Sequence, residues 1–184
     1  MRHFLRGLVA FAAALSALQA QPKQSPPVRQ AEASLPGVRL GYIDTGGTGT
    51  PVILLHAATG SSRVWENQIP AFTAAGFRVI AFDRRGYGRT VVDPAGPQPG
   101  TAAEDLEALV KSLNIERFHL IGTAAGGFVA LDYALSFPNR VRSLVVANSI
   151  GGVTDPDYVA LGRALRPPQF DALPPEIREV GPSY

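Results

Sequence analysis

Phe118-His119-Leu120-Ile121-Gly122-Thr123-Ala124-Ala125-Gly126-Gly127 is the stretch that decides how this chain is read. It opens as an apolar run suited to a buried strand, and the small residues after Gly122 start a helix expected to run to about Ser136, where Phe137-Pro138 ends it. The join between them has the spacing of G-x-S-x-G. In that pattern, glycines two before and two after a central residue let strand and helix pass closely, and a sharp turn lifts the central side chain out of the sheet. Here the glycines are Gly122 and Gly126, and the central residue is Ala124. Alanine carries no hydroxyl, thiol or carboxylate, so the raised position holds no nucleophile.

Working outward, other segments alternate between strand and helix character. Val38 to Asp44 alternates apolar and polar side chains, as a half-exposed strand does, and Pro51 to His56 is a continuous apolar run suited to a strand covered on both faces. Trp65, Ile69 and Phe72 then recur at near-helical spacing, with Pro70 expected to break or restart that helix. Phe77 to Phe82 is a further buried strand, and Val91 to Gly100 reads as a loop. Thr101 begins the clearest helix, because Thr101 and Glu104 form a capping box and Leu106, Leu109, Val110 and Leu113 share one face. Val141 to Ala147 is expected as another buried strand, and Tyr158 to Leu165 as a short helix among prolines. This alternation predicts an α/β fold, a mostly parallel sheet with helices on both faces.

The chain has 184 residues, 46% of them hydrophobic and 17% charged, enough for one sizeable core and one domain. Its formal charge is +2, and no Lys and Arg cluster interleaves with aromatics, so nucleic acid is not an expected partner. With no cysteine, thiolate catalysis and thiolate metal sites are excluded. No His, Asp and Glu spacing suggests a metal and no G-x-G-x-x-G opens a dinucleotide site, so no cofactor is expected.

Residues 1–20 read as a secretory signal peptide: Arg2, His3 and Arg6 precede an apolar run from Leu8 to Leu18, with Ala17 and Ala20 suited to cleavage. The run is shorter than the ~20 residues that span a bilayer, so no stable membrane span is expected after cleavage. The two leader arginines account for the whole positive excess, and the mature protein is expected to be secreted or periplasmic. Residues 21–36, rich in Pro, Gln and Ser, read as a solvated tether.

Three motifs in order carry a resemblance. Leu55-His56 leads into the small-residue loop Ala57-Ala58-Thr59-Gly60; Asp83-Arg84-Arg85-Gly86-Tyr87-Gly88-Arg89-Thr90 follows the pattern D-x-R-G-x-G-x-S with Thr90 at its last position; and the Gly122 to Gly126 elbow follows. Over residues 37–152 the chain resembles the α/β-hydrolase fold superfamily. The resemblance implies that Ala124 stands at the nucleophile position and that the backbone N–H groups of Ala57 and Ala125 match the two oxyanion donors. It also implies relatives that cleave esters, lactones or similar small carbonyl compounds by acyl transfer. In the family the acid and histidine follow the nucleophile, but no histidine follows His119 here; His3, His56 and His119 do not match the general-base position. The resemblance thus implies a sheet incomplete at the C-terminus, with residues 153–184 starting a cap.

On this reading the chain is inactive or impaired as a hydrolase, since loss of the nucleophile leaves about 10³ to 10⁴ over water. Two alternatives stay open: a non-catalytic protein that binds a small carbonyl ligand, and a base-driven enzyme using residues beyond Tyr184. Among the remaining candidates, His56 reads as a loop brace, Asp83 and Arg85 as organisers of their turn, and Trp65 and Phe128 as core. Asp155 is the one carboxylate placed to be a displaced triad acid, a reading weaker than a structural role.

Overall fold

The computed structural model describes residues 29–98, 101–150, 152–166 and 168–174. The leader expected at 1–20 lies outside them. In chain order the elements are β1 (Arg29–Leu35), β2 (Val38–Asp44), β3 (Pro51–Leu55), a 3-10 turn (Ser62–Trp65), α1 (Gln68–Ala74) and β4 (Arg78–Phe82), then β5 (Val91–Val92), α2 (Ala102–Ser112), β6 (Phe118–Thr123), α3 (Ala125–Ser136), β7 (Val141–Ala147) and α4 (Pro156–Ala164). The strands make one sheet in the order β1-β2-β4-β3-β6-β7, with β5 pairing off this path onto β2. β4, β3, β6 and β7 run parallel, and β2 joins them antiparallel through β4.

The apolar runs of β3 and β4 are continuous because both faces of the sheet are covered. Ile53 and Leu55 of β3 and Ile80 and Phe82 of β4 pack with Leu106, Leu109 and Val110 of α2 and Val129, Ala130 and Tyr133 of α3. The alternate residues Val52, Leu54, Val79 and Ala81 face the other way, onto Trp65 of the 3-10 turn and Ile69 of α1. A period of two within an unbroken apolar strand thus divides one segment between two cores.

Three expectations need correction. The tether expected over 21–36 does not extend across 29–35: these residues form β1, paired antiparallel with β2 from Arg29↔Asp44 to Leu35↔Val38. Pro36-Gly37 makes the hairpin, with Gly37 at φ 68°, the conformation a turn needs after proline. The strand expected to be buried at 141–147 is the sheet edge among the described residues, and Val145 is half exposed. The loop expected from Val91 contains the short β5, held by Val38↔Val92 and Arg39↔Val91. Of the two roles expected of Pro70, breaking or restarting the helix, the second holds: it sits in the first turn of α1, where its missing N–H removes no helical bond.

α2 and α3 keep the expected starts. The Thr101 hydroxyl accepts from the Ala103 N–H at 3.2 Å and caps α2. α3 begins directly at Ala125, one residue after the apex of the turn.

Candidate functional site

The turn between β6 and α3 is built by the absence of two side chains. A methyl group on Gly122 would overlap the Gly126 carbonyl, and one on Gly126 would overlap the Leu55 carbonyl and lie 2.8 Å from the His56 carbonyl oxygen. The first turn of α3 therefore rests against the end of β3 with backbone touching backbone. Ala124, at φ 47° and ψ −117°, occupies a conformation that side-chain-bearing residues rarely adopt. Its N–H donates to Ala147 O at 2.9 Å, and its carbonyl accepts from Gly127 N at 2.9 Å. These two bonds hold the strained apex between β7 and α3. The spacing of the glycines thus has the steric basis expected for an elbow, and the residue at its apex is a methyl group.

The His56–Ala57 peptide lies beside this turn, because Gly126 packs on the carbonyl of His56. Its N–H is that of Ala57. Ala125 opens α3, and the first N–H groups of a helix have no intrahelical acceptor. Ala57, Ala124 and Ala125 are all half-buried. One site therefore brings together the end of β3 and the start of α3, two backbone segments far apart in sequence.

His56 is fully buried and engaged at both ring nitrogens. Its Nδ1 lies 2.6 Å from Ala57 O, and its Nε2 accepts the Arg84 N–H at 3.1 Å. A carbonyl only accepts and an amide N–H only donates, so the ring is the neutral Nδ1–H tautomer. Burial pushes its pKa below the ordinary 6.5, and Arg84 adds to this, against the opposing hydrogen bond to Ala57 and the charge of Asp83. With both nitrogens committed, His56 braces the loop and does not face the apex as a base.

The D-x-R-G segment is structural in every contact it makes. Asp83 accepts from the Ser62 N–H at 2.6 Å and the Arg89 N–H at 2.9 Å, while Gly88 lies so close that any Cβ would overlap the Asp83 carboxylate. Arg85 forms a two-pronged pair with Asp105, at 2.8 and 3.1 Å, and donates to Gly37 O at 2.9 Å. It thereby ties the β1–β2 hairpin to α2.

The remaining sequence candidates fall away from the apex. Asp155 caps α4, accepting the Tyr158 N–H at 2.9 Å, and is not placed as a catalytic acid. Ser149 packs on the first turn of α3, with its Cβ 2.5 Å from where a methyl on Gly127 would sit. His119 pairs with Ser143 Oγ at 2.7 Å across β6 and β7. Trp65 is core, whereas Phe128, expected as core, is partly exposed near Gly152. The contact that sequence reasoning missed is Arg84 N–H to His56, made by a backbone group that carries no residue-type signal.

The chain is 36% identical over 121 residues to a 2-hydroxy-6-oxononadienedioate/2-hydroxy-6-oxononatrienedioate hydrolase of Paraburkholderia phymatum, covering 64% of this chain and 41% of that one. It is 32% identical over 138 residues to bifunctional epoxide hydrolase 2 of Sus scrofa, covering 74% of this chain and 25% of the relative. Among solved structures, a carboxylesterase of Nitrososphaera gargenis superposes with a TM-score of 0.61 at 28% identity, covering 72% of this chain and 51% of that one. The chain thus spans about two-fifths of the length of the first curated relatives it matches. The model of the alpha/beta hydrolase fold family matches residues 50–173, which include the β3 loop, the D-x-R-G turn and the elbow, and the chain belongs to that family.

Proposed function

We propose that this protein binds small carbonyl compounds, esters or lactones, through the Ala57 and Ala125 backbone N–H groups, and that it is impaired or inactive in acyl transfer. The observation that carries the reading is Ala124, which keeps the strained elbow conformation without a hydroxyl. In the family's chemistry a serine oxygen adds to the carbonyl carbon as a base takes its proton, and the two backbone donors stabilise the resulting oxyanion. The methyl of Ala124 forms no such bond, whereas main-chain donors are indifferent to the side chain beside them.

Hydrolysis of p-nitrophenyl butyrate by the full-length protein, alongside its Ala124→Ser variant, tests the reading. The alanine form is expected within about 10³ to 10⁴ of the uncatalysed rate, and a burst of p-nitrophenol from the serine form would identify Ala124 as the missing part. An alanine form that turns over many times faster overturns the proposal in favour of a base-driven mechanism without a covalent intermediate.

We further infer export of the protein to the periplasm or medium, from the basic start and apolar run of residues 1–20. Intact mass of the exported protein is expected to show a chain beginning near Gln21. Recovery of the uncleaved chain in the cytoplasm sinks this.

A further inference from the structure

We propose that His56 is the positioning residue of the carbonyl-binding loop, holding it to the turn after β4 only while the ring is neutral, so that acid releases the loop. The consequence for ligand binding rests on the function proposed above; the release itself does not.

The argument begins with direction. One nitrogen must donate, to Ala57 O, and the other must accept, from the Arg84 N–H. An imidazolium has two N–H groups and no lone pair, so protonation turns the Nε2 contact into two N–H groups facing each other. No rotation within the same space restores both bonds, because a flipped ring still presents two donors. The bridge from the loop to the β4 turn is therefore lost at Nε2, while the Nδ1–H bond to Ala57 O, which lies within the loop itself, is kept.

The surroundings give the new charge little compensation. The titratable and charged groups facing His56 come from the turn after β4: Asp83, Arg84 and Tyr87. The Arg84 guanidinium, buried at Nε and Nη2, lies 4.8 Å from the Tyr87 ring centre and has no carboxylate paired with it among the described residues, so a positive charge already stands near His56. Tyr87 presents its ring at 5.1 Å in an edge contact. Asp83 is the favourable neighbour, but its carboxylate already accepts the Ser62 and Arg89 N–H groups and lies 3.6 Å from the Arg89 Nε. An added proton therefore meets burial and positive charge.

Release of the loop would reach the site directly. Ala57 O also accepts the Gly60 N–H at 3.3 Å, so the imidazole bond anchors a turn, and the His56 carbonyl lies under Gly126 at the start of α3. Movement of the 56–57 peptide changes the aim of the Ala57 N–H. Because the folded ring resists protonation, the unfolded chain takes up the proton first, so this contribution to stability is full above the ordinary value of 6.5 and is lost as pH falls below it.

The test is nitrogen-15 NMR of the intact protein between pH 8 and 4.5, following the His56 ring and the amides of Ala57 to Gly60. The expected result is an Nδ1–H ring that stays neutral through pH 6.5, with its eventual protonation and the loop amide shifts sharing one midpoint. A ring in the Nε2–H form, or one that titrates near 6.5 without moving those amides, overturns the proposal. His56→Gln preserves an acceptor near the Nε2 position and His56→Asn a donor near the Nδ1 position; both are expected to abolish the acid transition of the loop. If either fails to fold, the wild-type titration still decides. Titration of p-nitrophenyl butyrate into the alanine protein separates this from the parent reading: below the His56 midpoint, affinity is expected to fall about tenfold per pH unit. If the ester leaves the Ala57 and Ala125 amides unmoved at pH 7.5 while the loop transition persists, the carbonyl-binding function fails and the role of His56 stands.

Discussion

Gly126→Ala is expected to lower the stability of the fold by about 3 kcal/mol, since overpacking against atoms that cannot rotate away lies at the upper end of the usual ~1–3 kcal/mol. The added methyl meets the Leu55 carbonyl group and the His56 oxygen, all of them backbone at the end of β3. Relief requires α3 to slide off the sheet. That motion also separates Ala125 from the His56–Ala57 peptide, so the proposed binding of a carbonyl ligand is expected to be lost together with stability. For a chain of this size the change corresponds to a melting temperature lower by roughly 6–12 °C. The control is Gly162→Ala in α4, where no atom lies within 4 Å of the added carbon and a helical alanine gains up to about 1 kcal/mol. Calorimetry of the two variants measures the difference. A Gly126→Ala protein that melts within ~1 kcal/mol of the parent would refute the close backbone packing on which the site depends.

The second large effect is expected far from the apex. Glu107, on α2, accepts the Tyr133 hydroxyl of α3 at 2.7 Å and the Arg140 Nη2 at 2.8 Å, while Tyr133 itself is fully buried. Glu107→Ala strands a buried hydroxyl and a partly buried guanidinium at once, an expected loss of about 3–5 kcal/mol. Lys111 also reaches Glu107, at 3.1 Å, but it is 64% exposed, so Lys111→Ala is expected to cost under ~1 kcal/mol. Denaturant titration of both variants is the measurement, and equal, small losses would show the buried network to be dispensable. Burial alone raises the Glu107 pKa, but hydrogen bonds from Tyr133, Lys111 and Arg140 outweigh it and leave the group below its ordinary 4.5. Its contribution is therefore complete above pH 4.5 and is lost as pH falls through the lowered value.

How far each feature could be read from sequence follows from how local its cause is. Gly122 and Gly126 were legible because their role depends on what they lack, at fixed spacing around one turn. The capping of α2 by Thr101 was legible for the same reason. β1 was not, since the Pro, Gln and Ser content before it outweighed the Ala31, Ala33, Leu35 alternation and the Pro36-Gly37 turn that closes its hairpin. The edge position of β7 was not either: an apolar strand looks the same in the middle of a sheet and at its border, and neighbours alone distinguish them.

Read alone, the sequence determined the alternating strand and helix order, the glycine-flanked elbow and the alanine at its apex. Each is a property of residue type and short spacing, acting through sterics and hydrogen-bonding capacity within a few residues. Only the tertiary structure decided that His56 meets the Arg84 N–H, 28 residues away, and that Glu107 joins Tyr133 and Arg140 across separations of 26 and 33. Those partners are chosen by how the helices cross between strands, so the chemistry of His56, a committed brace rather than a free base, exists only once β3, β4 and α3 have packed.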